Sequence, residues 1–264
     1  MPELLEIEAY RRLAEPVVGR RIVAVIAPDP WFLKGGITVD DLDLALVGAR
    51  VEGLRRLGKL VCVDLAGPDG PRPVLGLRFG MTGRLLVDGR AGIERLEYGS
   101  DRGLPEWDRF ALAFAGDGEL RISDPRRLGA VELDPDESRL GPDATTLTPA
   151  RVRDALGDSD APLKARLLDQ SRVAGLGNLL VDETLWRAGL DPARRAGGLG
   201  DAERRRLLHA LRRVLDELGD RGGSHTGDLM AARVRGGSCP RDGTPLDRRT
   251  IGGRTTYSCP HHQR

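Results

Sequence analysis

The pattern of apolar residues changes once along the chain, and this change constrains the fold more than any other feature. Between about residues 20 and 135, short β-rich runs such as KLVCVDL and ELRISD alternate with Gly, Asp and Pro. Such punctuated runs are typical of a β-sandwich or barrel. Apolar residues then recur at helical spacing over 150–157, 161–171, 178–188 and 201–219. The chain is therefore predicted to hold a β half followed by a helical half.

Residues 134–150 join the two halves and are rich in Asp, Pro and Thr, with no apolar period. A helix over residues 3–18, opened by Pro2, precedes the β half, and a Gly/Arg-rich hairpin with a turn at Gly252 and Gly253 ends the chain. We predict an α+β fold of two domains. Its parts are an N-terminal helix and β-sandwich over 1–135, a linker over 136–150, a helical domain over 151–232 and a hairpin over 233–264.

Positive charge is concentrated near the end of the chain. The net charge is only +1, but residues 231–264 contain seven Arg against two Asp. Such a basic patch suits nucleic acid, and a solvated tail kept soluble by arginine explains it equally well. Only Lys34, Lys59 and Lys164 are lysine among 41 basic residues, so these positions are candidates for sites that need a compact ammonium group.

The sequence contains no run of about 18 apolar residues, and its acidic start lacks the positive charge of a signal peptide. We therefore expect a soluble, cytoplasmic protein without a membrane partner. Nothing in the sequence indicates oligomerisation, so we expect a monomer. Cys62, Cys239 and Cys259 are too few for a disulfide scaffold.

Pro2 is the first candidate for chemistry. Removal of the initiator Met leaves a secondary amine, which is a nucleophile near neutral pH. Its attack on a sugar C1′ would give an iminium ion that acidifies the C2′ proton. Glu3 and Glu6 lie three residues apart on the following helix, so both carboxylates can face the amine and transfer protons. Ordinary helices also begin with proline and acids, so this pattern needs support from elsewhere.

The segment PELLEIE, which begins at Pro2, resembles the PELPEVE signature of the formamidopyrimidine-DNA glycosylase and endonuclease VIII family. The resemblance implies that Pro2 is the nucleophile and that Glu3 is the general acid and base. It also implies that Glu6 contacts the deoxyribose of the damaged nucleotide. Leu5 stands where the signature has a second proline, a departure that leaves the reacting groups in place.

Further motifs follow in the order of that family. LRRLGKLVCVDL places Lys59 at the family's essential lysine, which implies contact with phosphate and sugar at the lesion. RFGMTG resembles the turn whose methionine, Met81, fills the gap left by the extruded base. DPRRLG resembles a second intercalation loop, with Arg126 facing the orphaned base, Arg127 a phosphate and Leu128 replacing a phenylalanine wedge. Flipping a nucleotide requires such plugs, although singly these motifs also fit a core residue and a turn.

Residues 163–192 most closely resemble the family's helix–two-turns–helix. The GLGN turn opens a helix, so its backbone N–H groups and the amide of Asn178 can bind a phosphate. The resemblance implies that Lys164 is aimed at the same strand. It also assigns Arg254, near the hairpin tip, to a phosphate beside the lesion.

The last two cysteines belong to a C-x2-D-x16-C-x2-H pattern with the spacing of a four-ligand zinc hairpin. The ligands would be Cys239, Asp242, Cys259 and His262, where the family normally has four cysteines. A carboxylate oxygen and an imidazole still suit a tetrahedral Zn²⁺ ion. His261 is an alternative to His262, and a metal-free hairpin held by packing is an alternative to zinc.

The resemblance covers nearly the whole chain and implies a bifunctional DNA glycosylase and abasic-site lyase of base excision repair. The enzyme would act on damaged double-stranded DNA at the nucleoid, through a Schiff base on Pro2. Residues 222–237 form a shorter segment than the lid that closes over 8-oxoguanine in members that excise it. We therefore expect ring-opened purines, oxidised pyrimidines or abasic sites to be preferred.

Three alternatives remain open at this point. One is an endonuclease VIII-like specialist for oxidised pyrimidines or unusual adducts. Another, of a different class, is a non-catalytic protein that binds damaged DNA. The third is a proline-amine enzyme for small keto acids, which would have no use for the basic hairpin.

Overall fold

The computed structural model describes residues 2–67, 70–93 and 103–264. They form two compact units. The first consists of Pro2 with Glu6–Glu137, and the second of Glu3–Leu5 with Ser138–Arg264. The chain thus contributes three of its first residues to the unit that is otherwise built from its second half.

Helix α1 spans Leu4–Ala14, with Glu6 in its first turn and basic residues in its last, as the helix dipole favours. The helix is shorter than the predicted 3–18. A 3₁₀ turn, Glu15–Val17, follows it, because Pro16 lacks an N–H donor and disfavours α-helical geometry at the residue before it.

The first unit contains two antiparallel sheets and a short helix, α2, at Val39–Leu46. The strands are β1 Ile22–Ile26, β2 Arg50–Leu57, β3 Leu60–Gly67, β4 Gly70–Pro71, β5 Leu75–Arg78, β6 Arg84–Val87, β7 Arg90–Ala91, β8 Asp108–Phe114, β9 Glu119–Ser123 and β10 Ala130–Leu133. One sheet has the order β1-β8-β9-β6-β7 and the other β10-β5-β3-β2, with β4 paired to β3. Apolar side chains of both sheets form one buried cluster.

The second unit contains four helices followed by a β-hairpin. The helices are α3 Pro149–Leu156, α4 Leu163–Leu168, α5 Asn178–Ala188 and α6 Asp201–Asp220. The hairpin strands are β11 Asp247–Ile251 and β12 Arg254–Ser258. Gly252 and Gly253 link them with φ angles of 58° and 70°, the left-handed geometry of a two-residue turn that glycine tolerates. The predicted α+β class and the terminal hairpin are confirmed.

Two clusters of buried apolar side chains hold the second unit together. The larger joins the four helices and includes Leu4. The smaller joins Trp186 of α5 to Leu229, Cys239 and Cys259, so the hairpin region packs on the helices through it. Among the residues that the structure describes, no helix has the length and apolar character needed to cross a bilayer.

Candidate functional site

The carboxylate of Glu3 lies at the N-terminus of helix α5. Its Oε2 accepts hydrogen bonds from the backbone N–H groups of Gly177 (3.0 Å) and Leu180 (3.1 Å), and its Oε1 accepts one from Leu179 (2.8 Å). Glu3 is only 1 % exposed. The first-turn donors of α5 have no partners inside their own helix, and the positive end of the helix dipole favours an anion there. These contacts therefore fix the carboxylate that follows Pro2.

This arrangement limits the N–H groups that the GLGN turn can offer to DNA. The turn is predicted to present backbone N–H groups to a DNA phosphate, but the N–H of Gly177 and those of Leu179 and Leu180, directly after the turn, are bonded to Glu3. A side chain at Gly177 is excluded, because a Cβ atom there would lie 2.2 Å from the Glu3 carboxyl carbon. The turn needs glycine to let the acid approach.

Lys59 lies in the two-residue turn between β2 and β3 and is half-buried. Arg56, on β2, holds this turn against α1. Its Nε donates to Glu8 (3.2 Å) and its Nη1 to the carbonyl oxygen of Gly58 (3.1 Å). Arg56 and Glu8 were not predicted, since their pairing joins positions 48 residues apart. In the same unit, Glu6 is 4 % exposed.

The 124–129 loop is organised by the carboxylate of Asp124, which is fully buried. It accepts hydrogen bonds from the backbone N–H groups of Arg126 (3.2 Å), Leu128 (2.8 Å) and Gly129 (2.8 Å). It also accepts one from the hydroxyl of Thr82 at 2.5 Å, next to the half-buried Met81. One side chain thus ties together the two segments predicted to enter DNA, while Arg126 and Leu128 stay exposed.

Arg127 is held by Asp29 in a two-point ion pair. Its Nε and Nη2 donate to the two carboxylate oxygens, each at 2.6 Å, and Arg109 lies 3.6 Å from the same group. The Arg127 guanidinium keeps the pKa of Asp29 below the usual aspartate value. Arg127 also has a φ of 56°, so this pair secures a backbone conformation uncommon for a side-chain-bearing residue.

Lys164 differs from its prediction. Its side chain is fully buried and its Nζ donates to Asp182 (2.7 Å), to the Thr256 hydroxyl (2.8 Å) and to the Thr255 carbonyl (3.2 Å). Burial lowers its pKa, and Asp182 opposes the shift. An ammonium without exposure cannot reach a DNA phosphate, so the predicted DNA contact is wrong. Lys164 instead anchors the hairpin to α4 and α5.

Asn178 also binds the Thr255 carbonyl, because its Nδ2 donates a hydrogen bond to that oxygen at 3.1 Å. Its Oδ1 is buried and has no hydrogen-bond partner. The hairpin tip beside it carries Arg254, which is exposed. The structure thus brings two predicted phosphate contacts to neighbouring positions in the second unit.

The four predicted metal ligands are clustered. One ligand atom from each of Cys239, Asp242, Cys259 and His262 lies within 4.8 Å of the others. Asp242 Oδ2 is 3.4 Å from Cys259 Sγ and 2.9 Å from His262 Nδ1, and Cys239 Sγ is 3.9 Å from His262 Nδ1. Two thiols, a carboxylate and an imidazole at these separations could hold a metal ion.

Two family profiles match most of the chain. Residues 1–131 match the formamidopyrimidine-DNA glycosylase N-terminal domain, and residues 140–228 match the formamidopyrimidine-DNA glycosylase H2TH domain. Two curated relatives bear the name formamidopyrimidine-DNA glycosylase. The protein from Cereibacter sphaeroides is 36% identical over 296 residues, and that from Carboxydothermus hydrogenoformans is 32% identical over 279 residues. Both alignments cover 100% of each chain.

The fold is also similar to that of a solved DNA complex. The Lactococcus lactis Fpg, bound to DNA containing an abasic site, superposes with a TM-score of 0.81 at 26% identity. The match covers 99% of each chain.

Proposed function

Because the chain belongs to the formamidopyrimidine-DNA glycosylase family, we propose that it is a bifunctional DNA glycosylase and abasic-site lyase of base excision repair. Its partner is damaged double-stranded DNA, which assigns it to the cytoplasm, at the nucleoid. The observation that carries the proposal is the buried Glu3 carboxylate, fixed by the N-terminus of α5 directly after Pro2.

The reaction starts from the secondary amine of Pro2, exposed by removal of the initiator Met. Glu3 first takes a proton from the Pro2 ammonium group. The neutral amine then attacks C1′ of the damaged nucleotide while the bond from C1′ to the base breaks, and the base leaves with the proton held by Glu3. Loss of the amine proton leaves a neutral aminal, and cleavage of the C1′–O4′ bond, with a proton delivered to O4′, opens the sugar ring and gives an iminium ion. The iminium acidifies the C2′ proton, which is then removed. The electron pair of the C2′–H bond expels the 3′ phosphate, so the strand is cut by elimination. Hydrolysis of the iminium regenerates the amine.

The remaining predicted residues are proposed to hold the DNA. Lys59 and Glu6 would contact phosphate and sugar at the lesion. The exposed Arg126 and Leu128, with Met81, would occupy the space of the extruded nucleotide. Arg127, Asn178 and Arg254 would contact phosphates, whereas the buried Lys164 would not.

The donor set of the hairpin fits Zn²⁺, and we propose that the ion is bound. A tetrahedron with metal–sulfur bonds of about 2.3 Å and metal–nitrogen bonds of about 2.0 Å has edges of roughly 3.3–3.8 Å. Three of the separations among Cys239, Asp242, Cys259 and His262 are 2.9, 3.4 and 3.9 Å, and all four ligand atoms lie within 4.8 Å of one another. When bound, the ion supplies a cross-link between the two ends of the hairpin, and it takes no part in the reaction.

Borohydride trapping tests the mechanism. Purified protein with a free Pro2 amine is mixed with duplexes that carry an abasic site, 8-oxoguanine, a ring-opened purine or an oxidised pyrimidine. We expect a covalent adduct that disappears in Pro2→Gly and in protein with a blocked N-terminus. Salt-sensitive DNA binding without any adduct would overturn the proposal in favour of a non-catalytic damage-binding protein.

A second candidate, narrower in substrate, is an enzyme that does not favour 8-oxoguanine. The observation behind it is that residues 222–237, here called the strap, are fastened to α5. Glu183 accepts from the backbone N–H groups of Asp228 (3.1 Å) and Leu229 (3.0 Å), and Leu229 is fully buried. Arg233 is ion-paired with the buried Asp182. A segment anchored at both places has little freedom to close over a flipped purine.

Excision rates across the same lesion panel test the second candidate. We expect ring-opened purines, oxidised pyrimidines or abasic sites to react faster than 8-oxoguanine. The proposal fails if 8-oxoguanine is the best substrate of the panel. A preference for oxidised pyrimidines alone would identify the endonuclease VIII-like specialist.

A further inference from the structure

Trp186 lies where helix α5 meets the metal-ligand cluster. It is near the end of the helix and 6 % exposed. Its indole Nε1 donates a hydrogen bond to Cys239 Sγ at 3.3 Å, and its backbone carbonyl oxygen is 3.3 Å from His262 Nε2. One residue outside the ligand set therefore contacts two of the four ligands.

The two nitrogens of the His262 ring face different partners. Nδ1 points to the other ligands, 2.9 Å from Asp242 Oδ2 and 3.9 Å from Cys239 Sγ. Nε2 faces the Trp186 carbonyl, which can only accept a hydrogen bond. The proton therefore belongs on Nε2, and Nδ1 presents its lone pair to the cluster.

His261 lacks this support. Its side chain is 68% exposed, and its Nδ1 is 3.3 Å from Asp242 Oδ2. Among the described residues, the clustered ligand set includes His262 rather than His261. The structure thus favours one of the two histidines that the sequence left open.

The indole is itself held in place on both sides. The Arg241 guanidinium stacks 4.7 Å from the Trp186 ring centre, and the His262 ring meets it edge-on at 6.0 Å. Arg241 belongs to the turn between Cys239 and Asp242, so this stacking packs the turn against helix α5. A fixed N–H donor near a thiolate spreads its negative charge and orients its sulfur.

We propose that Trp186 is a positioning residue of the metal site. Its carbonyl holds His262 in the Nε2–H form so that Nδ1 binds the metal, and its indole N–H stabilises the Cys239 thiolate. The inference rests on the proposed zinc site. The hairpin offers the metal two thiolates instead of four. Its metal affinity therefore depends in addition on helix α5, which lies outside the hairpin.

The first test uses the zinc-loaded full chain. The sequence contains four histidines, so long-range proton–nitrogen correlation spectra of the imidazole rings are simple, and His262→Asn assigns the signal of interest. We expect metal-bound Nδ1 and protonated Nε2 for His262, with neither ring nitrogen of His261 bound to the metal. Binding through Nε2 of His262, or through His261, would overturn the proposal.

The second test measures Zn²⁺ affinity by competition with a chromophoric chelator. Trp186→Phe keeps the ring and the backbone carbonyl but removes the N–H donor. We expect a roughly 10- to 100-fold loss of affinity, the usual effect of losing an outer-shell partner. Trp31→Phe is the matched control, because Trp31 is 63 % exposed in the other unit, and its affinity should equal that of the unchanged protein.

The outcomes separate the two proposals. Equal affinity in Trp186→Phe and Trp31→Phe would overturn the positioning role while leaving the zinc site intact. No binding by the unchanged protein would overturn both, and borohydride trapping would still test the glycosylase independently. If Trp186→Phe fails to fold, the imidazole spectra of the unchanged protein decide.

Discussion

At the scale of single residues, Glu3 has two tasks that depend on the same two oxygen atoms. It caps helix α5 through three N–H groups, and it is the proposed proton donor. Both tasks require the carboxylate to stay where the helix fixes it. Loss of the side chain should therefore affect folding and chemistry at once, and graded variants can separate the two effects.

We expect Glu3→Ala to destabilise the protein by about 2–4 kcal/mol, because three buried donors lose their acceptor. Glu3→Gln keeps one acceptor oxygen and should cost less stability, yet both variants should lose about 10²- to 10⁴-fold in base excision. Urea unfolding and single-turnover excision measure the two effects. Glu15→Ala, with a side chain 61% exposed, is the stability control. Normal excision by Glu3→Gln would exclude the catalytic role.

Asp29 should make stability depend on pH through Arg127. The ion pair lowers the pKa of Asp29, so its stabilisation is present above the ordinary aspartate pKa of about 3.9 and is lost as pH falls through the lowered folded-state value. At pH 7 we expect Asp29→Asn to cost about 1–2 kcal/mol, reduced because Arg127 is 49% exposed. Urea unfolding at pH 7, 5 and 3 should show the difference shrinking only at the lowest pH. A constant difference would contradict the pair.

Candidate functional residues could be predicted from the sequence where they belong to a short local motif. Pro2, Glu3 and the metal ligands are predicted from local motifs, and the structure brings the four predicted ligands together. The residues that hold these side chains in place could not be predicted from local motifs. Gly177 lies 174 residues from Glu3, and Asp29 lies 98 residues from Arg127. Lys164 was misassigned for the same reason: its sequence neighbours do not reveal that Asp182 and Thr256 enclose it.

At the scale of elements, the 124–129 loop depends on one buried acid. We expect Asp124→Ala to destabilise the protein by about 2–4 kcal/mol, since it leaves two buried donors, the Thr82 hydroxyl and the Gly129 N–H, and two half-buried ones without their acceptor. It should also weaken excision from duplex DNA, because Leu128 and Arg126 lose their fixed backbone. Urea unfolding measures the stability, and single-turnover assays measure excision from duplex DNA. Asp40→Ala, at an exposed aspartate, is the control. Undiminished excision by a destabilised variant would contradict the proposed role of the loop.

The sequence predicted long, strongly patterned elements well. Helices α5 and α6 and the terminal hairpin lie where they were expected. Strands β2 and β10 were missed, because β2 mixes charged residues with glycine and β10 has four residues. Helix α2 was missed although a signal was present, since Thr38 and Asp41 form a capping box.

At the scale of the whole molecule, the net charge of +1 gives no general attraction to DNA, so binding must come from local cations. Each phosphate contact contributes about −0.9 to the slope of log K against log salt. We expect Arg254→Ala to make this slope shallower by about one unit while weakening binding to all sequences. Arg248→Ala, exposed on the neighbouring strand β11, is the control. Equal slopes for the two variants would remove Arg254 from the interface. Fluorescence anisotropy over a salt series measures both.

The α+β class followed from one change of apolar pattern, because sheet and helix periods are properties of neighbouring residues. The membership of Glu3–Leu5 in the second unit could not be predicted in that way. No feature of the neighbouring sequence indicates that the hydrogen-bond partners of Glu3 lie more than 170 residues further along the chain.

That membership has a consequence for the timing of synthesis. A ribosome adding about 5–20 residues per second would complete the β half roughly 2–8 seconds before the GLGN turn exists. Until then Pro2, the proposed nucleophile, is followed by an acid with no helix to hold it. A chain released early, by a stop codon or by proteolysis, would carry the nucleophile but not the fixed acid. The enzyme would therefore gain its strand-cutting ability only as a finished protein, which would protect intact chromosomes from its fragments.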